Sequence, residues 1–251
     1  PMELATLTTS TADLGSTDVA LLPTGSTEQH GPALPLGMDH FAAETIATRI
    51  DRDDTVVLPT VSVGVSEHHR QFDGTLWVGA DTFERYVTEV AESVASHGVR
   101  KLVLVNGHGG NTDALARAAR HLRQSETAFA APWNWWESLG DRRAELFDED
   151  GGHADALETS VMLGIAPELV DEEQLATAEA NGSEGWGKAV HGAEIGFDTI
   201  DFTESGAVGR PTEGSAADGE RVLDYVTDEL DALIDWLIAR EYEDLLPKPH
   251  T

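Results

Sequence analysis

The stretch Lys101-Leu-Val-Leu-Val-Asn106-Gly-His108-Gly-Gly110-Asn111 decides the fold class. Its apolar run at 102–105 predicts a strand buried on both faces, as in a parallel sheet. A glycine-rich turn follows, and the spacing from 111 to about 123 predicts a helix. Strand, glycine loop and helix in succession form the unit of an open α/β sheet, whose ligands bind beyond the carboxyl ends of the strands. Glycines around His108 let the backbone turn tightly and approach a ligand closely. Gly109 and Gly110 also offer N–H groups at a helix start to an anion or oxyanion.

The same alternation extends along the chain. Strands are predicted at 18–23 and 127–131, with a β-rich stretch at 55–65. Helices are predicted at 39–50, where Asp39 is a candidate cap, at 82–97 ending before Gly98, at 154–163 and at 219–240. Strands alternating with helices favour an α/β fold with a mainly parallel sheet covered on both sides. No repeat or low-complexity linker divides the chain, which reads as one domain over 1–251. The stretch 172–214 is rich in glycine and acidic residues and lacks periodicity, so it is either a long functional loop or an inserted flap.

With 46 acidic against 16 basic residues, the formal charge of −30 argues against binding nucleic acid through its phosphates. Hydrophobic residues nevertheless make up 40% of the chain, enough for a full core. Only three lysines accompany thirteen arginines. An acidic, lysine-poor yet core-competent chain fits the cytosol of a high-salt cell, where ions screen self-repulsion. The absence of cysteine excludes disulfides, thiolate metal sites and cysteine nucleophiles. No apolar run approaches the length needed to span a bilayer, so the expectation is a soluble, cytoplasmic protein without a membrane partner.

A second motif follows the first predicted strand: Pro23-Thr-Gly-Ser-Thr-Glu28-Gln-His30-Gly, then Leu34-Pro-Leu-Gly-Met-Asp39. Glu28 and His30 are two apart and share a side in an extended segment. Carboxylates interleaved with an imidazole suit zinc, manganese or iron. The third segment is Gly151-Gly-His153-Ala-Asp155-Ala-Leu-Glu158. On one continuous helix His153 and Glu158 would diverge by about 140°. Both therefore face one site only if His153 precedes the helix and Glu158 lies within it. A carboxylate beside the apolar run 161–163 needs a metal or a hydrogen-bonded partner if buried.

These motifs, with Glu67-His-His69, Phe72-Asp-Gly-Thr75 and Gly206-Ala-Val-Gly-Arg-Pro211, resemble the creatininase (creatinine amidohydrolase) family in order and spacing. The resemblance implies a three-layer α/β/α sandwich, two divalent metals (Zn2+, Fe2+ or Mn2+), hydrolysis of non-peptide C–N bonds and a homo-oligomer, commonly a hexamer. It implies metal ligation by Glu28, His30, Asp39 and His108, with Asp39 as the bridge, and proton transfer by His153. One position departs: the family's creatininases carry a glutamate ligand where Gly110 stands. The second metal then lacks a ligand unless Glu158 supplies it. The glycine form resembles members acting on other amides, notably a deformylase that opens a formamidopyrimidine ribonucleotide in flavin and deazaflavin synthesis. The expected chemistry is attack of activated water on an amide carbonyl, stabilised near Gly109 and Gly110, with His153 protonating the leaving nitrogen.

Other readings stay open. Trp133, Trp135 and Trp136 either wall a pocket for a flat substrate or pack in the core, and Trp186 belongs to a flap or to the surface. His69 lines the site entrance with Glu67 and His68, or His68 is merely solvated. Arg210 neutralises a substrate phosphate or pairs locally. Ser26, Ser66 and Ser160 lack a base partner, which disfavours serine hydrolysis. Against a formamide nucleotide stand creatinine, a small modified peptide, and a metal-stabilised binding protein without catalysis. The charge balance makes one prediction. Raising KCl from about 0.1 M to about 1 M, which shortens the Debye length from roughly 10 to 3 Å, raises the thermal unfolding midpoint, read by circular dichroism; a midpoint that falls with salt contradicts it.

Overall fold

The computed structural model describes residues 2–148 and 151–248. Its elements are β1 (Met2–Glu3), β2 (Val19–Thr24), α1 (Met38–Thr48), β3 (Thr55–Val57), α2 (Ala80–Ser96), β4 (Lys101–Asn106), α3 (Thr112–Gln124), β5 (Phe129–Asn134), α4 (Arg142–Leu146), α5 (Ala156–Ile165), α6 (Leu175–Ala180), the short strands β6 (Ala189–Val190) and β7 (Ala193–Glu194), α7 (Ala216–Ile238) and α8 (Tyr242–Leu245). His250, to which the sequence attaches no role, lies outside the described residues.

β1 to β5 form a parallel sheet in the order β1-β3-β2-β4-β5. Side chains alternate across a strand, and here each face has its own core. Val19, Leu21, Val103 and Val105 pack with α1, α5 and α7. Ala20, Leu22, Leu102 and Leu104 pack with α2 and α3. That is the expected three-layer α/β/α arrangement with a mainly parallel sheet. Up to their polar carboxyl ends, Thr24 and Asn106, both central strands are apolar at every buried position because neither face meets water.

The strand order reverses at β2 and β4. β2 leads through α1 to β3 on one side, and β4 leads through α3 to β5 on the other. Thr24 pairs with Asn106 at the carboxyl ends of the two strands, so a crevice opens at this switch point. The first turn of α1 fits into it only because glycines give way. A Cβ on Gly25 would lie 2.4 Å from the His40 nitrogen, and one on Gly107 2.1 Å from the Asp39 carbonyl oxygen.

Several boundaries differ from the sequence reading. The β-rich stretch 55–65 yields only the three residues of β3; Pro59 lacks an amide donor, and the chain then runs on irregularly, with Val61 bridging to Thr24. β5 starts at Phe129, because residues 125–128 close the end of α3 through Ser125 to His121 and Thr127 to Leu122 hydrogen bonds. Asp39 does not cap α1: Gly37 holds that position, without a side-chain cap, and the Asp39 carboxylate turns into the crevice. α7 begins earlier than expected, where Ser215 Oγ accepts from the Asp218 amide. The opaque stretch 172–214 contains α6 and the β6–β7 hairpin. No helix among the described residues is long and apolar enough to cross a membrane. Leu22, fully buried in the sheet, makes one prediction: Leu22→Ala lowers unfolding free energy by about 2–5 kcal/mol, read as an earlier urea midpoint with unchanged slope.

Candidate metal centre

Three chain segments meet at the switch point. The loop after β2 carries Glu28 and His30, the loop after β4 carries His108, and α1 presents Asp39 from its first turn. Asp39 faces two ways: Oδ1 lies 3.1 Å from His30 Nε2, and Oδ2 lies 3.2 Å from His108 Nδ1. His108 Nδ1 is also 3.2 Å from Glu28 Oε1. From the opposite side comes α5, capped by Asp155, whose carboxylate accepts from the amides of Gly152 and Glu158. This cap leaves His153 in the preceding loop and Glu158 in the first turn, as both must be to face one site. Glu158 Oε2 lies 3.7 Å from His30 Nε2, and His153 Nδ1 lies 3.9 Å from Glu28 Oε1.

The far nitrogen of three histidines points at a backbone carbonyl. His30 Nδ1 meets Glu28 O at 3.1 Å, His108 Nε2 meets Val65 O at 3.1 Å, and His153 Nε2 meets Gln29 O at 2.7 Å. A carbonyl only accepts, so each of these nitrogens carries the hydrogen. Each bare nitrogen then faces the carboxylates, the usual support of a metal-binding imidazole.

The residues fit a divalent cation. Both Glu28 carboxylate oxygens and Asp39 Oδ2 are buried without a hydrogen-bond partner, an arrangement that is costly unless something positive satisfies them. Two groups meet around Asp39: Glu28, Asp39 and His108 form one, and His30, His153 and Glu158 another. Ligands about 2.0–2.2 Å from a tetrahedral ion lie roughly 3.3 Å apart, which is the spacing found around His108.

Electrostatics agree. Burial pushes Glu28 up, and it pushes Glu158 up to about 8. Burial opposes charge on His30 and His108, yet Asp39 draws His30 up to about 10, and Glu28 with Asp39 raises His108 well above the usual range. The same pairing, chiefly with His30, overcomes burial at Asp39 and holds its carboxyl well below the usual range. Burial drives His153 and His69 down and His68 down to about 4. The cluster thus asks for positive charge and recruits protons where no cation supplies it.

A cleft of about 520 Å³ opens onto this centre. Gly109, Gly110, His68, His69, Trp135 and Trp136 line it, as the sequence suggested. Trp135 does both jobs proposed for it, since it is 1% exposed, packs in the core and still borders the cleft. Trp133 packs against that core and does not border the cleft. Trp186 stands edge-on to His68, His69 and His153, reached from the stretch 172–214. Arg210 is not on the lining and pairs with Glu213. At Gly110 a Cβ would meet Val65 O at 2.2 Å and His108 Nε2 at 2.5 Å, with the His68 ring 3.1 Å away, so this backbone admits no side chain there. Ser26 and Ser66 bond one another and Ser160 bonds Ala156 O, none of them reaching a histidine.

Several cleft or site residues escaped the sequence reading, Gln29, Asp155, Arg143 and Thr199 among them. Gln29 stands inside the motif, between two chemically conspicuous neighbours; Asp155 was visible as an N-cap before Ala156. Arg143, bound to Asp155 at 2.8 Å, and Thr199 carry no local signal.

The fold, the buried carboxylate–histidine cluster and the relatives of this chain together mark a hydrolase of amide carbon–nitrogen bonds. The family profile described as creatinine amidohydrolase matches residues 3–234, and the chain belongs to the creatininase family. Among curated relatives, the mycofactocin precursor peptide peptidase of Mycolicibacterium smegmatis is 36% identical over 218 residues, covering 82% of this chain and 79% of that protein. The creatinine amidohydrolase of Pseudomonas putida is 28% identical over 176 residues, 62% of this chain and 68% of that protein. A solved creatininase superposes with a TM-score of 0.77 at 23% identity, covering 96% and 99% of the two chains. Other creatininase structures are described as Zn-Zn type and as the Mn form.

Cation uptake must displace the protons this cluster recruits. With His30 near 10 and Glu158 near 8, both are protonated at pH 7 and must lose those protons to ligate. Zinc binding therefore releases protons and tightens as pH rises from 6 to about 9, read by calorimetry in buffers of different ionisation enthalpy; pH-independent affinity contradicts this.

Proposed function

We propose that the chain is a metal-dependent amidohydrolase with two divalent ions, bridged by Asp39, that cleaves an amide bond in a short modified peptide. The observation that carries the two-ion reading is Asp39 itself, whose oxygens face different donor groups. Glu28, Asp39 and His108 hold one ion; His30, Asp39 and Glu158 hold the other. Glu158 thereby supplies the carboxylate that Gly110 cannot.

A divalent cation bound there lowers the pKa of water and polarises an amide carbonyl. The chain's own groups do the rest. His153, bare at Nδ1 and held at Nε2 by the Gln29 carbonyl, takes a proton at Nδ1 and delivers it to the leaving nitrogen. The Gly109 and Gly110 amides border the cleft at the start of α3, where they stabilise negative charge on the carbonyl oxygen. Trp135, Trp136 and Trp186 wall the substrate and exclude water.

Supporting the peptide are relatives named peptide peptidases at 31–36% identity, against 28% for the creatinine amidohydrolase. Supporting the formamidopyrimidine ribonucleotide is the glycine at 110. Against it stands a cleft whose described lining offers one arginine and no lysine for a phosphate, that arginine being Arg143, already bound to Asp155. The same reading takes residues 1–251 as one domain of a cytoplasmic homo-oligomer, a hexamer by resemblance, and leaves zinc, manganese and iron open as the metal.

The test compares formate release from the formamidopyrimidine nucleotide, creatinine opening and cleavage of short peptides, each with zinc, manganese or iron added in molar salt. Peptide cleavage is expected to exceed the other two, and His153→Ala is expected to lower kcat by about 10²–10⁴ with metal content unchanged. Formate release alone would replace the peptide with the nucleotide. No turnover on any amide would leave a metal-stabilised binding protein.

A further inference from the structure

His69 differs from the other three histidines of the site. It is fully buried, and its Nε2 lies 3.3 Å from Glu28 Oε1. Its position beside Glu28 and His153 makes it a candidate ligand by distance alone. The far nitrogen tells otherwise. His30, His108 and His153 each turn theirs to a carbonyl, whereas His69 Nδ1 lies 2.8 Å from the side-chain nitrogen of Gln29.

The orientation of the Gln29 amide follows from its neighbours. Its oxygen accepts from the Gly31 amide at 2.9 Å, and its nitrogen donates to the Gly206 carbonyl at 3.2 Å. Flipping the amide would set N–H against N–H at Gly31 and oxygen against oxygen at Gly206. Gly206 has no room for a side chain, since a Cβ there would lie 1.7 Å from Gln29 Oε1. An amide nitrogen has no acceptor to offer, so His69 Nδ1 must be bare and receive the hydrogen. The Thr199 hydroxyl, 2.9 Å away, donates to the same nitrogen. Nε2 therefore carries the ring hydrogen, 3.3 Å from Glu28 Oε1 but without a formed hydrogen bond to it. Gln29 Nε2 also lies 2.9 Å from His153 Nε2, but both are N–H groups, and the Gln29 hydrogens are already committed to His69 and Gly206.

We propose that Gln29 fixes His69 in its Nε2–H tautomer, which denies that nitrogen to a metal ion and leaves His69 an N–H neighbour of the Glu28 carboxylate, not a ligand. This rests on the reading of Glu28 as a ligand. Gln29 then sorts the histidines in opposite senses: its backbone carbonyl keeps His153 bare toward the site, and its side chain keeps His69 protonated toward it. Through Thr199 and Gly206, the stretch 172–214 takes part in that assignment.

The experiment uses the zinc-loaded protein labelled with 15N at histidine, in a long-range nitrogen–proton correlation spectrum. The expected wild-type spectrum shows His69 protonated at Nε2, identified by loss of its signals in His69→Gln. In Gln29→Glu, whose carboxylate accepts at both oxygens, His69 is expected to switch to the Nδ1–H form and kcat to fall at least tenfold. A second readout is metal content by mass spectrometry. His69→Gln retains an N–H donor and is expected to keep the wild-type stoichiometry. A wild-type His69 that is bare at Nε2, or loss of one ion in His69→Gln, overturns the proposal. Because neither the tautomer nor the stoichiometry requires turnover, both arms remain decisive if the amidohydrolase reading fails.

Discussion

The structure turns on one buried carboxylate. Asp39 is almost fully enclosed, in an interior that also holds Glu28. Three carboxylates within a few ångströms, counting Glu158, would repel one another strongly in so poor a solvent. The arrangement holds because histidines surround them and because a cation can join them. Everything nearby follows from placing Asp39 where two strands end. α1 must start at the switch point, Gly25 and Gly107 must lack side chains, and the loops after β2 and β4 must fold over its first turn. The apolar sheet below serves as a rigid base for this polar cluster.

That base was legible in the sequence because burial on both faces leaves a plain mark. The runs at 19–23 and 102–105 are apolar throughout, and a polar, glycine-containing turn ends each. The long helices α2 and α7 showed their periodicity for the same reason. The candidate ligands Glu28, His30, Asp39, His108 and Glu158 were named from residue type, order and the family resemblance, and the structure brings them together with His153. What failed was local detail set by tertiary demands. Asp39 looked like a cap because aspartate before a helix is usually one; here the crevice outcompetes the helix end for its carboxylate. The stretch 55–65 read as β-rich because β-propensity counts Pro59 as only one residue among eleven, whereas its missing donor helps end the ladder after Val57.

The stretch 172–214 was opaque for a different reason. Its short elements bury little apolar surface of their own, so no period of two or of 3.6 develops. Thr199 and Trp186 matter through contacts more than a hundred residues away in sequence, as in the Thr199 bond to His69 and the Trp186 contact with His68. Gln29 was hidden by its company: between a glutamate and a histidine, an amide draws no notice, although its side-chain nitrogen lies 2.8 and 2.9 Å from two of the site's imidazoles.

The antiparallel bridge between His153 and Val208 has a consequence for how this architecture diversifies. It ties His153, the proposed proton carrier, to the chain segment with the least regular structure, while Glu28, His30 and His108 sit in loops directly after the central strands and Asp39 and Glu158 in first turns of helices. A lineage can therefore rewrite the flap, and with it the shape presented to a substrate, without disturbing the ion-holding groups. Shifts in the backbone near Val208 would be felt at His153 as changes in reach. A change of specificity and a change of rate would in this way be coupled at a single pair of residues.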